Sequence, residues 1–88
     1  MINVEISLFG AFRQFDNGTP IILQLPVGTN LQETKQALGA EIVRRFPEFK
    51  QEKLLEQSPL ANESEILRAD YILNKNENLV ILPPVSGG

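Results

Sequence analysis

The sequence contains no cysteine and no histidine. Without cysteine there is no disulfide, no thiolate nucleophile, no persulphide carrier and no zinc–thiolate site. Without histidine the usual general base at neutral pH and the commonest metal ligand are missing. Carboxylates, lysines and one tyrosine remain, but two main catalytic toolkits are gone. The chain is expected to have no catalytic side chain of its own and no metal site. It also lacks any run near the ~20 apolar residues of a membrane helix. No basic segment followed by an apolar block opens it, so no signal peptide is expected, and a cytoplasmic location is. Its 8 basic residues are scattered among 11 acidic ones, for a net charge of −3. No basic cluster offers a footprint for nucleic acid. The partners expected are other proteins.

What is present suits one small domain: 88 residues, 42% of them apolar. Such a chain folds alone with a thin margin, because small domains bury a smaller share of their surface. Ile2-Asn3-Val4-Glu5-Ile6-Ser7-Leu8 alternates apolar and polar, the period of a strand with one buried face. Gly10 ends it. A connection holding Phe12, Phe15 and the turn signal Asp16-Asn17-Gly18 leads to a second strand, Ile21–Leu25, closed by Pro26. The two are expected to form an antiparallel hairpin.

The period then changes. Thr29 and Asn30 favour an N-cap, with Gln32 and Glu33 at capping-box spacing. Leu31, Leu38, Ile42 and Phe46 share one helical stripe, and Pro47 stops the helix at or before Phe46. Gly39 inside it costs about 1 kcal/mol relative to alanine and is read as allowing a close approach to the sheet. Residues 47–57 read as loop with room for a further helical turn. Leu60-Ala61 and Ile66-Leu67 flank Asn62-Glu63-Ser64-Glu65 as a short hairpin, Ala69–Leu73 reads as a turn of helix, and Asn74–Asn78 as a polar turn. Leu79-Val80-Ile81-Leu82 is apolar on both faces and is expected inside a sheet, beside the first strand. This order predicts an α+β fold, a mixed sheet with one main helix across one face. That arrangement is the ubiquitin-like β-grasp. The domain is placed at 1–82 and a flexible tail at 83–88.

Few side chains suggest chemistry. Glu63 with Glu65, or Glu52 with Glu56, could pair as acid and base, but neither pair lies beside a sign of a pocket. Solvated surface charge is the better reading. Phenylalanines 9, 12, 15, 46 and 49 are read as core, with one or two left for a partner surface. Lys35 reads as a solvated helix flank. No glycine pattern matches a phosphate loop.

The ending, Pro83-Pro84-Val85-Ser86-Gly87-Gly88, differs. In a chain of average composition, two prolines and two glycines at those places have a chance on the order of 10⁻⁵. The prolines hold φ near −65° and lack an N–H, so strand pairing stops and the chain leaves in a set direction. Six extended residues reach ~20 Å. Two residues without side chains can thread a narrow channel and bring a carboxyl end to another protein's catalytic group. A carboxylate is a poor electrophile and must be activated, for example as an acyl-adenylate.

Together these features make the chain resemble the small subunit of molybdopterin synthase, the sulphur-carrier relative of ubiquitin. The likeness rests on Val4–Ala11 at the first strand, Ala61-Asn62 at the hairpin, Leu73 before a polar turn, and Leu79–Gly88 throughout. Asn76 stands where the family usually has glycine, and residues 47–60 match nothing clearly. The resemblance implies that a ubiquitin-activating-like adenylyltransferase uses ATP to adenylate the Gly88 carboxylate. A sulphur donor then makes the thiocarboxylate, and the tail delivers sulphur to a cyclic pterin precursor in the large catalytic subunit. On this reading Gly88 carries the sulphur, Gly87 and Ser86 thread the channel, and Pro83, Pro84 and Val85 orient it. The chain binds no cofactor itself; it is a co-substrate more than an enzyme. Three alternatives stand beside it: the sulphur carrier of the thiamine pathway, a ubiquitin-like modifier conjugated through Gly88, and a plain interaction domain whose tail does nothing.

Overall fold

A computed structural model of the chain describes residues 1–15 and 18–83. Strand β1 (Ile2–Leu8) pairs antiparallel with β2 (Ile21–Leu25), Val4 opposite Leu23. The alternation is obeyed: Ile2, Val4, Ile6 and Leu8 are buried, while Asn3 is exposed and Glu5 and Ser7 are half-buried. A 3-10 helix, Gly10–Phe15, occupies the connection. Of the predicted turn, Asp16 and Asn17 lie outside the described residues, and Gly18 has φ +81°.

Strand β3 (Thr29–Asn30) leads into helix α1 (Leu31–Arg45). Asn30 is the N-cap: its side chain accepts from Glu33 N at 2.8 Å, and Glu33 Oε1 accepts from Asn30 N at 3.2 Å. Both halves of the capping box are therefore made. Leu31, Leu38 and Ile42 are buried along one stripe, and Phe46 is the C-cap, as the spacing predicts.

Two local expectations are corrected, and the further helical turn allowed within residues 47–57 is present. Residues 52–57 form helix α2 (Glu52–Gln57), because Leu55, 2% exposed, buries itself against α1. Gly39 serves that contact and not the sheet. A Cβ there would lie 3.2 Å from Leu55 Cδ2. Ala69–Leu73 is not a helical turn. Ile72–Leu73 is strand β5, antiparallel to β3, and Leu73 O accepts from Gly28 N at 2.8 Å. Five residues make too little helix to hold themselves, whereas pairing with the segment before α1 satisfies the backbone.

The predicted hairpin is present. β4 (Leu60–Ala61) faces Ile66–Leu67, with Leu67 N donating to Leu60 O at 2.8 Å and Asn62 Oδ1 accepting from Ser64 N and Glu65 N. The last strand, β6 (Glu77–Ile81), begins inside the polar cluster. It runs parallel to β1, Leu8 opposite Ile81, and antiparallel to β4, so the sheet order is β2-β1-β6-β4. Its central place is as expected, but it is not buried on both faces. Leu79 and Ile81 point inward, while Val80 is half-buried.

The inner face of this sheet packs on the stripe of α1 in one core. Phe12, Phe15, Phe46 and Phe49 close it off, with Phe15 and Phe49 edge-to-face at 4.8 Å. Such aromatic pairs add about 0.5–1.5 kcal/mol beyond the area they bury.

Candidate functional site

The residues singled out by the sequence continue from the end of β6. Leu82 N still donates to Pro59 O, at 3.0 Å. Pro83 has no N–H to give, and strand pairing stops there. Parallel register carries past the paired Leu8 and Ile81, and two residues on, Gly10 meets Pro83. Gly10 has φ +59°, a left-handed conformation that a side chain disfavours. A Cβ on it would sit 2.5 Å from Pro83 Cγ and 3.3 Å from Cδ. The missing side chain at residue 10 is thus the seat of the ring at residue 83. Pro84, Val85, Ser86, Gly87 and Gly88 lie outside the described residues.

Around this exit the outer sheet face is partly apolar. Phe9 is 41% exposed, Ile66 60%, and Val80 and Leu82 are half-buried. Phe12, Leu79 and Ile81 are fully buried, so Phe9 is the phenylalanine left to the surface.

Elsewhere the titratable groups do structural work. Glu52, Glu56, Glu63 and Glu65 are all exposed. Lys35 is not a free flank. Its Nζ donates to Glu56 O at 3.1 Å, tying α1 to α2, and burial lowers its pKa against the opposing pull of Glu56. Tyr71 Oη lies 2.7 Å from both carboxylate oxygens of Glu77, and donating to them pushes its pKa up to about 12. Among the described residues no group of three acidic side chains could hold a metal ion, and no helix is long and apolar enough to cross a membrane.

Sequence reasoning did not find the role of Gly10. It took that glycine as the end of a strand, although the expected pairing of the first and last strands already contained the signal. Once their register is known, the residue two past Leu8 falls opposite the residue two past Ile81.

No protein-family model and no curated protein matches the sequence. Solved structures do match its shape. SAMP1 from Haloferax volcanii superposes with a TM-score of 0.66 at 16% identity, over 98% of this chain and 99% of that one. A Pyrococcus furiosus protein provisionally named molybdopterin converting factor subunit 1 gives 0.63 at 20% identity, over 97% and 100%. A Caldiarchaeum subterraneum ubiquitin gives 0.61 at 14%, over 99% and 98%. The fold is the ubiquitin-like β-grasp. At these identities the likeness speaks to architecture. In this β-grasp the central strand β6 delivers the chain to the Gly10–Pro83 contact, and the partly apolar outer face lies beside it.

Proposed function

We propose that this chain is a ubiquitin-like sulphur carrier of the molybdopterin synthase type, with the Gly88 carboxyl group as its reactive end. The observation that carries the reading is the seat of Pro83 on Gly10. It gives the segment that follows a set origin on the central strand, beside a partly apolar surface suited to a protein partner. The resemblance of Leu79–Gly88 to the family's ending supports it, as does the shape shared with the Pyrococcus protein. The cytoplasm is its proposed location.

In this reading the Gly88 carboxylate attacks the α-phosphorus of ATP on an adenylyltransferase and pyrophosphate leaves. A sulphide-equivalent nucleophile then displaces AMP, leaving a thiocarboxylate. The tail enters a large catalytic subunit, where the thiocarboxylate sulphur attacks a carbon of a pterin precursor and displaces an oxygen-bound leaving group; water then cleaves the resulting thioester, which leaves the sulphur on the pterin and restores the carboxylate. Pro83 and Pro84 aim the chain, and Val85, Ser86 and Gly87 extend it into the partner. No side chain of this protein reacts, and ATP is bound by the partner.

The test is intact mass after incubation with an adenylyltransferase of this kind, ATP and a sulphur donor. The expected gain equals one oxygen exchanged for sulphur, on Gly88. An unchanged mass, where a known carrier is loaded, would overturn the reading. The shared shape with SAMP1 and with an archaeal ubiquitin favours a second reading, a modifier joined to lysines through Gly88. Higher-mass conjugates that vanish on deletion of Gly88 would establish it. Stable co-purification with a thiazole synthase would instead assign the thiamine pathway.

A further inference from the structure

Between Phe49 and Leu60, both 1% exposed, little holds the chain to the core. Of residues 50–57 only Leu55 is buried, and Lys50, Glu52, Lys53, Glu56 and Gln57 are exposed. Helix α2 has six residues, well short of the roughly 12–15 that an isolated helix needs. Its N-cap, Gln51, makes no side-chain capping bond. Gln51 Oε1 is also buried with no hydrogen bond from the described residues, a cost that contact with solvent would relieve. The ties to α1 are slight: Leu55 packs on Gly39, and Lys35 Nζ donates to Glu56 O at 3.1 Å. The bonds of Ser58, from Oγ to Leu54 O and from N to Leu55 O, stay within the segment. Basic residues elsewhere are better anchored. Arg13 lies between the buried Phe12 and Phe15, and Lys75 adjoins Asn76, whose side chain accepts from Asn3 N.

We propose that residues 50–58 form a strap that opens as a unit while the rest of the β-grasp stays folded, and that the open strap is where an endoprotease selective for lysine cuts this chain. An endoprotease takes its substrate in extended form, so α2 must open before its bonds can be cleaved, and cutting then follows the population of the open form. Lys50 and Lys53 both lie in the strap, and neither is followed by proline. Water adds across the peptide bond after one of them; the C–N bond breaks, leaving a lysine carboxylate and a new amine. The cut parts β1, β2 and α1 from β4 and β6. The strand that leads to Gly88 is then no longer covalently joined to β1 beside it. None of this depends on sulphur transfer.

The experiment digests the folded full chain briefly with trypsin and reads the first fragments by mass. In parallel, NMR follows amide exchange at urea concentrations below the unfolding transition. The first fragments should be 1–50 with 51–88, or 1–53 with 54–88. Residues 83–88 contain no lysine or arginine and do not compete. The amides of Leu55 and Ser58 should share one opening free energy. Its urea slope should be shallower than that of the amides pairing β1 with β6, because the strap exposes less surface on opening. Lys35→Met removes the bond to Glu56 O and should raise both the cleavage rate and the exchange of α2 about fivefold. Four results would overturn the proposal: a first cut anywhere else, Leu55 and Ser58 amides that open independently, α2 amides with the same urea slope as those of β6, or a Lys35→Met chain cut no faster than the native one. The third would mean that α2 lets go only when the whole domain unfolds.

Discussion

Replacing Gly10 by alanine tests whether the exit of β6 is built as described. Two costs arise at that position. The backbone at φ +59° disfavours a side chain by about 1–2 kcal/mol. The new Cβ also collides with Pro83 Cγ at 2.5 Å, so the ring must leave its seat. Gly28 separates the two: it has φ +95°, yet a Cβ there would meet nothing within 4 Å. Gly28→Ala should therefore show backbone strain alone, and Gly10→Ala strain plus collision. In a domain of this size each kcal/mol lowers the Tm by about 4–8 °C. The decisive measurement is a double-mutant cycle by urea unfolding with Gly10→Ala, Pro83→Gly and both. Removing the ring relieves the collision but not the strain, so the cycle should return a coupling of about 1 kcal/mol, within the range found for contacting residues. Effects of Pro83→Gly on the unfolded chain cancel in the cycle. A coupling within about 0.3–0.5 kcal/mol of zero, the level of independent sites, would refute the contact. If the sulphur-carrier reading holds as well, Gly10→Ala should slow loading of Gly88 while Gly28→Ala leaves it unchanged.

Further outcomes follow from other parts of the fold. Asn30→Ala removes one half of the capping box and should cost about 1 kcal/mol, read as a lower urea midpoint with an unchanged m-value. Hydrogen bonds from Arg44 and Arg45 hold the Glu41 carboxyl down from its ordinary 4.5 to about 2. A depressed folded pKa stabilises above the unfolded value and loses that benefit as pH falls. The Tm advantage of the native chain over Glu41→Gln should thus be full above pH 4.5 and vanish as pH falls through about 2. For Tyr71 the sign reverses: its hydrogen bond to Glu77 raises the pKa from 10.0 to about 12. That contribution is complete below pH 10.0 and lost as pH rises through about 12; the tyrosinate absorbance midpoint should fall back toward 10.0 in Glu77→Gln.

What could be read from the sequence was what depends on near neighbours along the chain. The alternation of Ile2–Leu8, the stripe of Leu31, Leu38 and Ile42, the Asn30–Glu33 box and the stop at Pro47 each arise within one element. Period and capping chemistry are enough to reveal them. The β-grasp followed from their order and from placing an apolar last strand beside the first. The proposed reactive end was visible for the same reason, as a composition at one place in the chain.

Tertiary structure decided everything that depends on which distant segment supplies the partner. Ile72–Leu73 is a strand because Thr29–Asn30 lies alongside it. Residues 52–57 are a helix seated on Gly39, since Leu55 needs a surface to bury against. Val80 stays half-exposed because, among the described residues, the core packs on the other face of the sheet. Gly10 matters through a residue 73 positions further on, and parallel register alone brings the two together. Local patterns record which face of an element is apolar; they carry no address for what that face or edge will meet.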